Sequence, residues 1–252
     1  MGYLIEDFIE ATNAAQSRDE AFLLYRKALE RLGFDSAVYT FVTDHLAAGQ
    51  RAGHGVQCNF PGDWMAHYQE KGYQAIDPVT WRVKRTRDPF PWQDLIQTGV
   101  LTEQQDRILH EAQEAGLHCG VGIPLYGPRG ELAGIGIASS LKDAHPDRNT
   151  LCKLKLLGEQ FHLVYCALAA QEAPNGKVVV PPPLTPREAE IMEWWAEGKA
   201  AEDIAMILGC TKSNVKWHID HVYKKLDVNT RIQAVAKAIR LGYIFPENIK
   251  IL

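Results

Sequence analysis

A run of three prolines, Pro181-Pro182-Pro183, constrains the fold of this 252-residue chain more than any other feature. Consecutive prolines are incompatible with helix and favour a stiff, extended chain, and the preceding Asn175-Gly176 is a turn signal. We therefore place a linker at residues 173–183, between a first domain at residues 1–172 and a second at residues 184–252. Because 46% of the residues are hydrophobic, each part has enough apolar side chains for a core.

The first domain mixes helix and strand patterns. The stretch "SRDEAFLLYRKALERLGF" has a Ser17 start, apolar residues at helical spacing and a Gly33 stop. "SAVYTFVTD" predicts a strand, and "CGVGIPLYGPRGELAGIGIASS" predicts a hairpin that turns at residues 127–130. "RNTLCKLKLLGEQFHLVYCALAAQEA" predicts a long helix leading to the linker. These elements predict an α+β protein whose first domain is an α/β/α sandwich around a mainly antiparallel sheet.

The second domain is predicted to be all-α, with four helices. Thr185 and Glu188 have capping-box spacing, and Pro186 falls at the first helical position, where its missing N–H is harmless. "AAEDIAMIL" predicts a short second helix, Thr211 can cap the third, and "TRIQAVAKAIRLG" predicts the fourth. Four apolar residues of the third helix fall within one narrow arc, namely Val215, Ile219, Val222 and Leu226.

A short helix, a glycine-containing turn and a longer helix with a basic face are typical of a helix-turn-helix. Its second helix enters the DNA major groove, where lysines neutralise phosphates. The alternative is a merely solvated basic face, and the formal net charge of −4 gives no argument for nucleic acid. The order of short helix, turn and long helix behind a rigid linker favours DNA binding.

The segment from Leu184 to Ile244 resembles the LuxR-type DNA-binding domain, with L-T-x-R-E, E-x-I-A-x-x-L, V-x-x-H and K-L-x-V all in register. It departs from that family at Ala200, where the usual Ser or Thr would cap a helix, and at Asn214, where Thr is usual. The resemblance implies that Lys216 and Asp220 lie nearest to base edges. The full set that it implies to face DNA is Lys212, Ser213, Asn214, Lys216, Trp217, Asp220 and Lys224.

Aromatic residues are concentrated in the first domain between residues 60 and 92, which hold seven of the chain's 23. Trp64 and Tyr68 are four residues apart and therefore share a helix face. Pro78 biases Asp77 away from helix, and a carboxylate among aromatic rings needs a hydrogen-bond donor, such as the amide N–H of a ligand. The alternative is an ordinary aromatic core in which Asp77 caps a helix.

Residues 15–172 resemble the autoinducer-binding domain of LuxR-type quorum-sensing receptors, through W-x3-Y-x8-D-P, "PFPWQDL" and "AGLHCGVGIPLYGPRGELAGI". The resemblance implies an N-acyl-homoserine lactone as ligand. Trp64 would donate its indole N–H to the lactone carbonyl, and Asp77 would accept the amide N–H. Tyr68 would lie against the acyl chain, and Trp92 would lie against the lactone ring. The remaining expected ligand contacts are Phe60, Val79 and Gly136.

Two of these positions depart from the family pattern. Phe60 stands where a tyrosine hydroxyl is common, and Gly136 stands where many members carry Ser or Thr. Both changes weaken polar recognition of the acyl carbonyl and leave room, which predicts a bulky, long or aryl acyl group. The presence of both Trp64 and Tyr68 favours a lactone over another kind of signal.

Other functions fit the sequence less well. It contains no P-loop, G-x-S-x-G, H-E-x-x-H or G-x-G-x-x-G pattern, so no enzyme class is indicated. Asp143, His145 and Asp147 are better explained as a polar turn than as metal ligands, so neither a metal nor a cofactor is expected. A phosphorylated response regulator would need an acidic pair near the N-terminus, where this chain is helical. A regulator that binds DNA without ligand, or that senses a non-lactone molecule, remains the alternative.

The partners expected from this reading are an inverted-repeat DNA site, a second copy of the chain and RNA polymerase. No apolar run reaches the ~20 residues that span a bilayer, and no basic segment precedes an apolar one at the start. A cytoplasmic location without membrane contact is therefore expected. The five cysteines form no C-x-x-C pair and are expected to be buried, reduced thiols.

Overall fold

The computed structural model describes residues 3–45, 48–97, 99–127, 130–141, 146–172 and 181–246. Most of the expected linker at residues 173–183 lies outside these ranges, as do Pro128 and Arg129 of the expected hairpin turn. The chain forms two compact units, which are described separately.

The first unit is built on a five-stranded antiparallel sheet with the order β2-β1-β5-β4-β3. Strand β1 pairs with β2 and β5, and β4 pairs with β5 and β3, all antiparallel. The expected antiparallel sheet is therefore confirmed. The strands are β1 (Ser36–Phe41), β2 (Gly53–Cys58), β3 (Phe90–Pro91), β4 (Cys119–Tyr126) and β5 (Leu132–Ser139).

Helices cover both faces of this sheet, which confirms the α/β/α sandwich. The first two and the last pack on one face and the other four on the opposite face. Ser17 accepts a hydrogen bond from the Glu20 N–H and caps the second helix, as the sequence predicts. The helices are α1 (Tyr3–Asn13), α2 (Arg18–Glu30), α3 (Gly62–Glu70), α4 (Pro78–Val83), α5 (Trp92–Gln97), α6 (Glu103–Glu114) and α7 (Arg148–Glu172).

The two faces of the sheet differ in how they are filled. Side chains of a strand alternate between faces, so Tyr39 and Phe41 of β1 point one way and Val38 and Thr40 point the other. The Tyr39 ring meets Phe161 of α7 edge-on, with 5.1 Å between centroids, inside a closed aromatic core. Val38 and Thr40 instead line a cavity under α3. The sheet therefore rests on one solid core and carries a potential ligand site on its other face.

Two glycines of β4 make room for aromatic rings on the cavity side. A Cβ at Gly120 would lie 2.0 Å from the Trp92 ring, and one at Gly122 would lie 2.4 Å from Phe90. No larger residue fits beneath either ring. Packing of the Trp92 and Phe90 rings against β4 therefore explains the alternating glycines of "CGVGIP".

The second unit contains four helices: α8 (Pro186–Ala196), α9 (Ala201–Ile207), α10 (Lys212–Leu226) and α11 (Arg231–Arg240). Thr185 and Glu188 form the predicted capping box at the start of α8, and Thr211 caps α10. Ala200 provides no side-chain cap for α9, but Asp203 accepts a hydrogen bond from the Ala200 N–H at 3.1 Å. The apolar arc of α10 is buried, with Val215, Ile219, Val222 and Leu226 at most 8% exposed.

One buried ion pair ties α8 to α10. Glu188 is 5% exposed, and its Oε2 accepts hydrogen bonds from Lys225 Nζ at 2.5 Å and from the Thr185 N–H at 2.7 Å. Burial alone would raise the pKa of Glu188, but these donors outweigh it and hold the pKa below its usual value. The capping box therefore also anchors the third helix of this unit.

The cysteines are all reduced, but the expectation that they are buried is wrong. Cys152 is exposed on α7, and the other four are half-buried.

Candidate functional site

A cavity of about 60 Å³ lies between the sheet and helices α3 to α6 of the first unit. This volume would hold several water molecules. Strands β1, β2 and β5 form its floor, and its roof comes from α3, α4, α5 and α6. All seven residues expected to contact a ligand line it: Phe60, Trp64, Tyr68, Asp77, Val79, Trp92 and Gly136.

Asp77 combines two roles that the sequence presented as alternatives. Its Oδ1 accepts the Val79 N–H at 2.8 Å and so caps α4, while its Oδ2 accepts the Tyr68 hydroxyl at 2.9 Å and the Thr80 hydroxyl at 3.0 Å. A carboxylate offers about four acceptor positions, so these three donors leave one for a molecule in the cavity. No lysine or arginine of the described residues forms an ion pair with Asp77.

Trp64 and Tyr68 project into the cavity from the same face of α3, as their spacing predicts. They are 6% and 4% exposed, and their rings meet edge-on at 5.9 Å. Burial raises the pKa of Tyr68, and the adjacent Asp77 charge raises it further. The Tyr68 hydroxyl therefore stays protonated and donates to Asp77.

Phe60 and Trp92 close another side, with their rings at right angles and 6.5 Å apart. The extra room expected beside Gly136 is not open, because a Cβ there would lie only 3.0 Å from Val38 Cγ1. Val38 occupies that space, and the glycine serves its packing. The Trp92 indole Nε1 is buried and has no hydrogen-bond partner among the described residues.

Three polar residues of the cavity were missed by sequence reasoning: Thr40 on β1, His54 on β2 and Thr80 on α4. Thr80 follows Asp77 by three residues, a spacing that could have been recognised as a side-chain contact in the first turn of a helix. Thr40 and His54 carry no such local signal, because the pairing of β1 with β2 alone brings them together. Their side chains share a hydrogen bond of 3.1 Å between Oγ1 and Nδ1.

In the second unit, the residues expected to face DNA are all exposed on α10: Lys212, Ser213, Asn214, Lys216, Trp217, Asp220 and Lys224. Trp217 is 54% exposed, although large apolar side chains are usually buried. The buried arc lies on the opposite side of the same helix. The unit therefore presents a basic, partly aromatic surface on a firmly packed helix.

Two contacts organise this surface. Lys212 at the start of α10 pairs with Glu202 of α9, so the helix-turn-helix partly neutralises one of its own lysines. The Trp217 ring lies on His221, with 3.8 Å between centroids, and His221 Nδ1 is 2.8 Å from the Trp217 carbonyl oxygen. Sequence reasoning did not include His221, although its spacing of four from Trp217 places both on one face.

A metal site has no support in the described part of the chain, where no group of His, Cys, Asp and Glu could hold an ion. Asp143 and His145 of the "DAHPD" stretch lie outside the described residues. The Asp147 side chain accepts the Thr150 N–H at 2.7 Å at the start of α7, which is a helix-capping role.

An aromatic cavity in an α/β/α unit, followed by a helix-turn-helix unit, defines a transcription regulator that responds to a small molecule. Residues 17–165 match the family described as "Autoinducer binding domain", and residues 182–238 match "Bacterial regulatory proteins, luxR family". The chain belongs to the LuxR family and is a quorum-sensing transcriptional regulator with an autoinducer-binding and a DNA-binding domain. Its small molecule is a signal ligand rather than a cofactor.

Individual relatives agree with this assignment. The chain is 34% identical to the HTH-type transcriptional regulator y4qH of Sinorhizobium fredii, over 79% of this chain and 61% of that protein. It is 35% identical to the HTH-type quorum sensing-dependent transcriptional regulator RpaR of Rhodopseudomonas palustris, over 73% of each. The crystal structure of Escherichia coli SdiA matches 96% of this chain and 98% of its own, with a TM-score of 0.69. At 23% identity, this last likeness concerns the fold alone.

None of the helices in the described ranges is both long enough and apolar enough to cross a membrane.

Proposed function

We propose that this protein binds an N-acyl-homoserine lactone in the cavity of its first domain and an inverted-repeat promoter site through its second. The single observation that carries the proposal is that Trp64 and Asp77 line the same cavity. One acceptor position of the Asp77 carboxylate remains for a ligand N–H. The domains run over residues 1–172 and 184–252, with the linker at 173–183.

In this proposal the polar head of the ligand is held at two points. Asp77 accepts the amide N–H in its remaining position, and the Trp64 indole donates to the lactone carbonyl. Tyr68 and Trp92 enclose the acyl chain and the lactone ring, and Phe60, Val79 and Gly136 complete the wall. The aromatic walls exclude water, which strengthens both hydrogen bonds.

We propose that the protein acts as a homodimer in which two copies of α10 read two half-sites. A surface of α7 supports this proposal, because Leu156 and Leu163 are 49% and 66% exposed at a spacing of seven. Exposed apolar side chains on one helix face are typical of a surface that binds another protein. Two-fold symmetry of the dimer would match the symmetry of an inverted repeat.

On DNA, Lys216 and Asp220 are proposed to reach base edges, with lysine on guanine and aspartate on the amino group of cytosine. Lys212, Ser213, Asn214, Trp217 and Lys224 are proposed to contact the backbone and groove walls around them. RNA polymerase is the further partner and the cytoplasm the location that we propose. Ligand favours the folded, dimeric form and so acts on DNA affinity by mass action.

The first test of the proposed ligand site is the substitution Asp77→Asn. The amide has one acceptor oxygen where the carboxylate has two, so it cannot accept from Val79, Tyr68, Thr80 and the ligand N–H together, and buried donors are left unpaired. We expect lactone affinity to fall about 100-fold, measured by titration calorimetry on the full-length protein. Asp63→Asn, an exposed aspartate in the first turn of α3, is the control. If lactone affinity is unchanged in Asp77→Asn, the proposed site for the polar head of the ligand is wrong.

The second test is Lys216→Ala, which should weaken operator binding by about 1–3 kcal/mol and leave lactone affinity intact. Lys71→Ala, an exposed lysine of the first domain, controls for the loss of one positive charge. The alternative function, a regulator that senses a non-lactone molecule or needs no ligand, predicts operator binding by a protein that takes up no lactone.

A further inference from the structure

The cavity floor carries one polar pair, Thr40 and His54, on an otherwise apolar part of the sheet. Their floor neighbours are Val38, Val42, Gly134, Ile135 and Gly136. Polar side chains beside an apolar cavity are unfavourable unless each donor and acceptor has a partner. The hydrogen bonds of this pair therefore indicate what it offers to a ligand.

The Thr40 hydroxyl sets the proton position on His54. Its oxygen accepts the Gly55 N–H at 3.3 Å, so its own hydrogen still needs an acceptor. Among the described residues that acceptor is His54 Nδ1, at 3.1 Å. An imidazole that accepts at Nδ1 carries its proton on Nε2. We therefore assign the proton of His54 to Nε2, which has no hydrogen-bond partner within the described ranges.

Packing fixes the His54 ring in this orientation. It stacks on the Tyr68 ring, with centroids 4.7 Å apart and planes 13° from parallel, and the Tyr68 hydroxyl bonds Asp77. Burial lowers the pKa of His54, although the charge of Asp77 acts in the opposite direction. The ring is therefore neutral at neutral pH and offers a single, directed donor.

We propose that His54, held by Thr40, is a specificity-determining residue that donates a hydrogen bond to an oxygen atom on the acyl portion of the ligand. The inference rests on the proposed lactone function and deepens it. Phe60 and Gly136 supply no side-chain donor to the acyl part, and His54 supplies one from β2. The preferred signal therefore carries an oxo or hydroxyl group on its acyl part.

The test compares matched ligands that differ only in that oxygen. One pair is N-octanoyl- and N-(3-oxooctanoyl)-homoserine lactone, and the other is N-cinnamoyl- and N-(4-hydroxycinnamoyl)-homoserine lactone. Titration calorimetry on the full-length protein should show about a 10-fold preference for the oxygenated member of at least one pair, the value of one neutral hydrogen bond. Equal affinities within both pairs would overturn the proposal.

His54→Phe keeps a ring to stack on Tyr68 and removes both nitrogens, so the preference for the oxygenated ligand should disappear. Thr40→Val removes the hydroxyl that fixes the imidazole proton and should lower the preference to about 3-fold, which provides a second measurement if His54→Phe does not fold. His67→Phe is the matched control, because His67 bonds Glu111 and does not line the cavity, and it should keep the full preference.

The outcomes separate this inference from the function on which it rests. If the wild-type protein binds no lactone of either pair, both the inference and the proposed function are wrong. The protein could instead bind lactones with an oxygen preference that persists undiminished in both His54→Phe and Thr40→Val. That result would agree with the proposed function and contradict the role of His54.

Discussion

The two domains hold a carboxylate in different ways. In the first domain, half-buried Asp77 accepts three hydrogen bonds from the protein, and no lysine or arginine of the described residues forms an ion pair with it. In the second domain, Glu188 is 5% exposed and engages both the Thr185 N–H and Lys225. The carboxylate without a cationic partner lies at the proposed ligand site, whereas the ion-paired carboxylate stabilises the fold of its domain.

The proposed binding residues also differ in exposure between the two domains. The proposed ligand site of the first domain consists of buried and half-buried side chains, so changes there affect binding and packing together. The proposed DNA-binding side chains of the second domain are exposed on α10, while the buried arc of that helix carries the fold. Substitutions can test this contrast, because structural and binding effects should separate cleanly only in the second domain.

The largest effect that we expect is from Glu188→Ala. It removes the capping box of α8 and leaves Lys225, whose side chain is 19% exposed, without its carboxylate. Removing one partner of a buried ion pair destabilises a protein by about 3–5 kcal/mol. Hydrogen exchange of the full-length protein should show protection of α8 and α10 amides falling by more than 100-fold, with α7 unchanged.

Two variants sharpen this measurement. Glu190→Ala, on the same helix, removes an exposed partner of Arg187 and should cost less than about 1 kcal/mol. Glu188→Gln retains an acceptor for the Thr185 N–H and removes only the charge, so its effect should be intermediate. If Glu188→Ala exchanges like Glu190→Ala, the ion pair does not stabilise the second domain.

The second domain was predictable from sequence almost residue by residue. Its caps lie three residues from the N–H groups that they bind, as at Thr185 and Thr211. Its buried arc follows from helical periodicity alone. Such signals are local in the chain, so a helix-turn-helix can be predicted from sequence without knowledge of any long-range contact.

The first domain was predictable only in part, because its cavity depends on pairing between distant strands. Strand β2, "GHGVQC", is half-buried throughout and shows no alternation, and β3 is two residues long. Neither has a periodic signal, so both were missed. With β2 unknown, His54 could not be placed beside Thr40. The aromatic residues and Asp77 were found through family resemblance and the spacing of Trp64 and Tyr68.

A second prediction concerns the sheet face that is turned away from the cavity. His162 of α7 shares a hydrogen bond of 2.6 Å with the Tyr39 hydroxyl and lies beside His45 and Cys166. Burial, aided by the charge of His45, lowers the pKa of His162 from 6.5 to about 4. The folded protein therefore keeps this ring neutral where the unfolded chain would bind a proton.

This difference in pKa between the folded and unfolded protein makes the folded state less stable as the pH falls. The stability contribution is complete above pH 6.5 and is lost progressively as the pH falls from 6.5 toward 4. At about 1.4 kcal/mol per pH unit, the total loss is about 3 kcal/mol. Urea unfolding of the first domain across this range should show it, and His162→Gln should flatten the slope by about one proton. His110→Gln, an exposed histidine of α6, controls for the loss of an imidazole.

The smallest effect expected is at the end of α10, where Asp227 has φ 50°, the left-handed region. Among the described residues it is the only non-glycine with positive φ. A side chain there is mildly strained, and a negative charge at a helix C-terminus faces the negative end of the dipole. Asp227→Gly removes both effects and should stabilise the second domain by about 0.5–1 kcal/mol. Asp227→Asn removes only the charge and should gain less, while Asp227→Ala should be less stable than the glycine variant. Urea unfolding ranks the three, and an alanine variant as stable as glycine would show that backbone strain plays no part at this helix end.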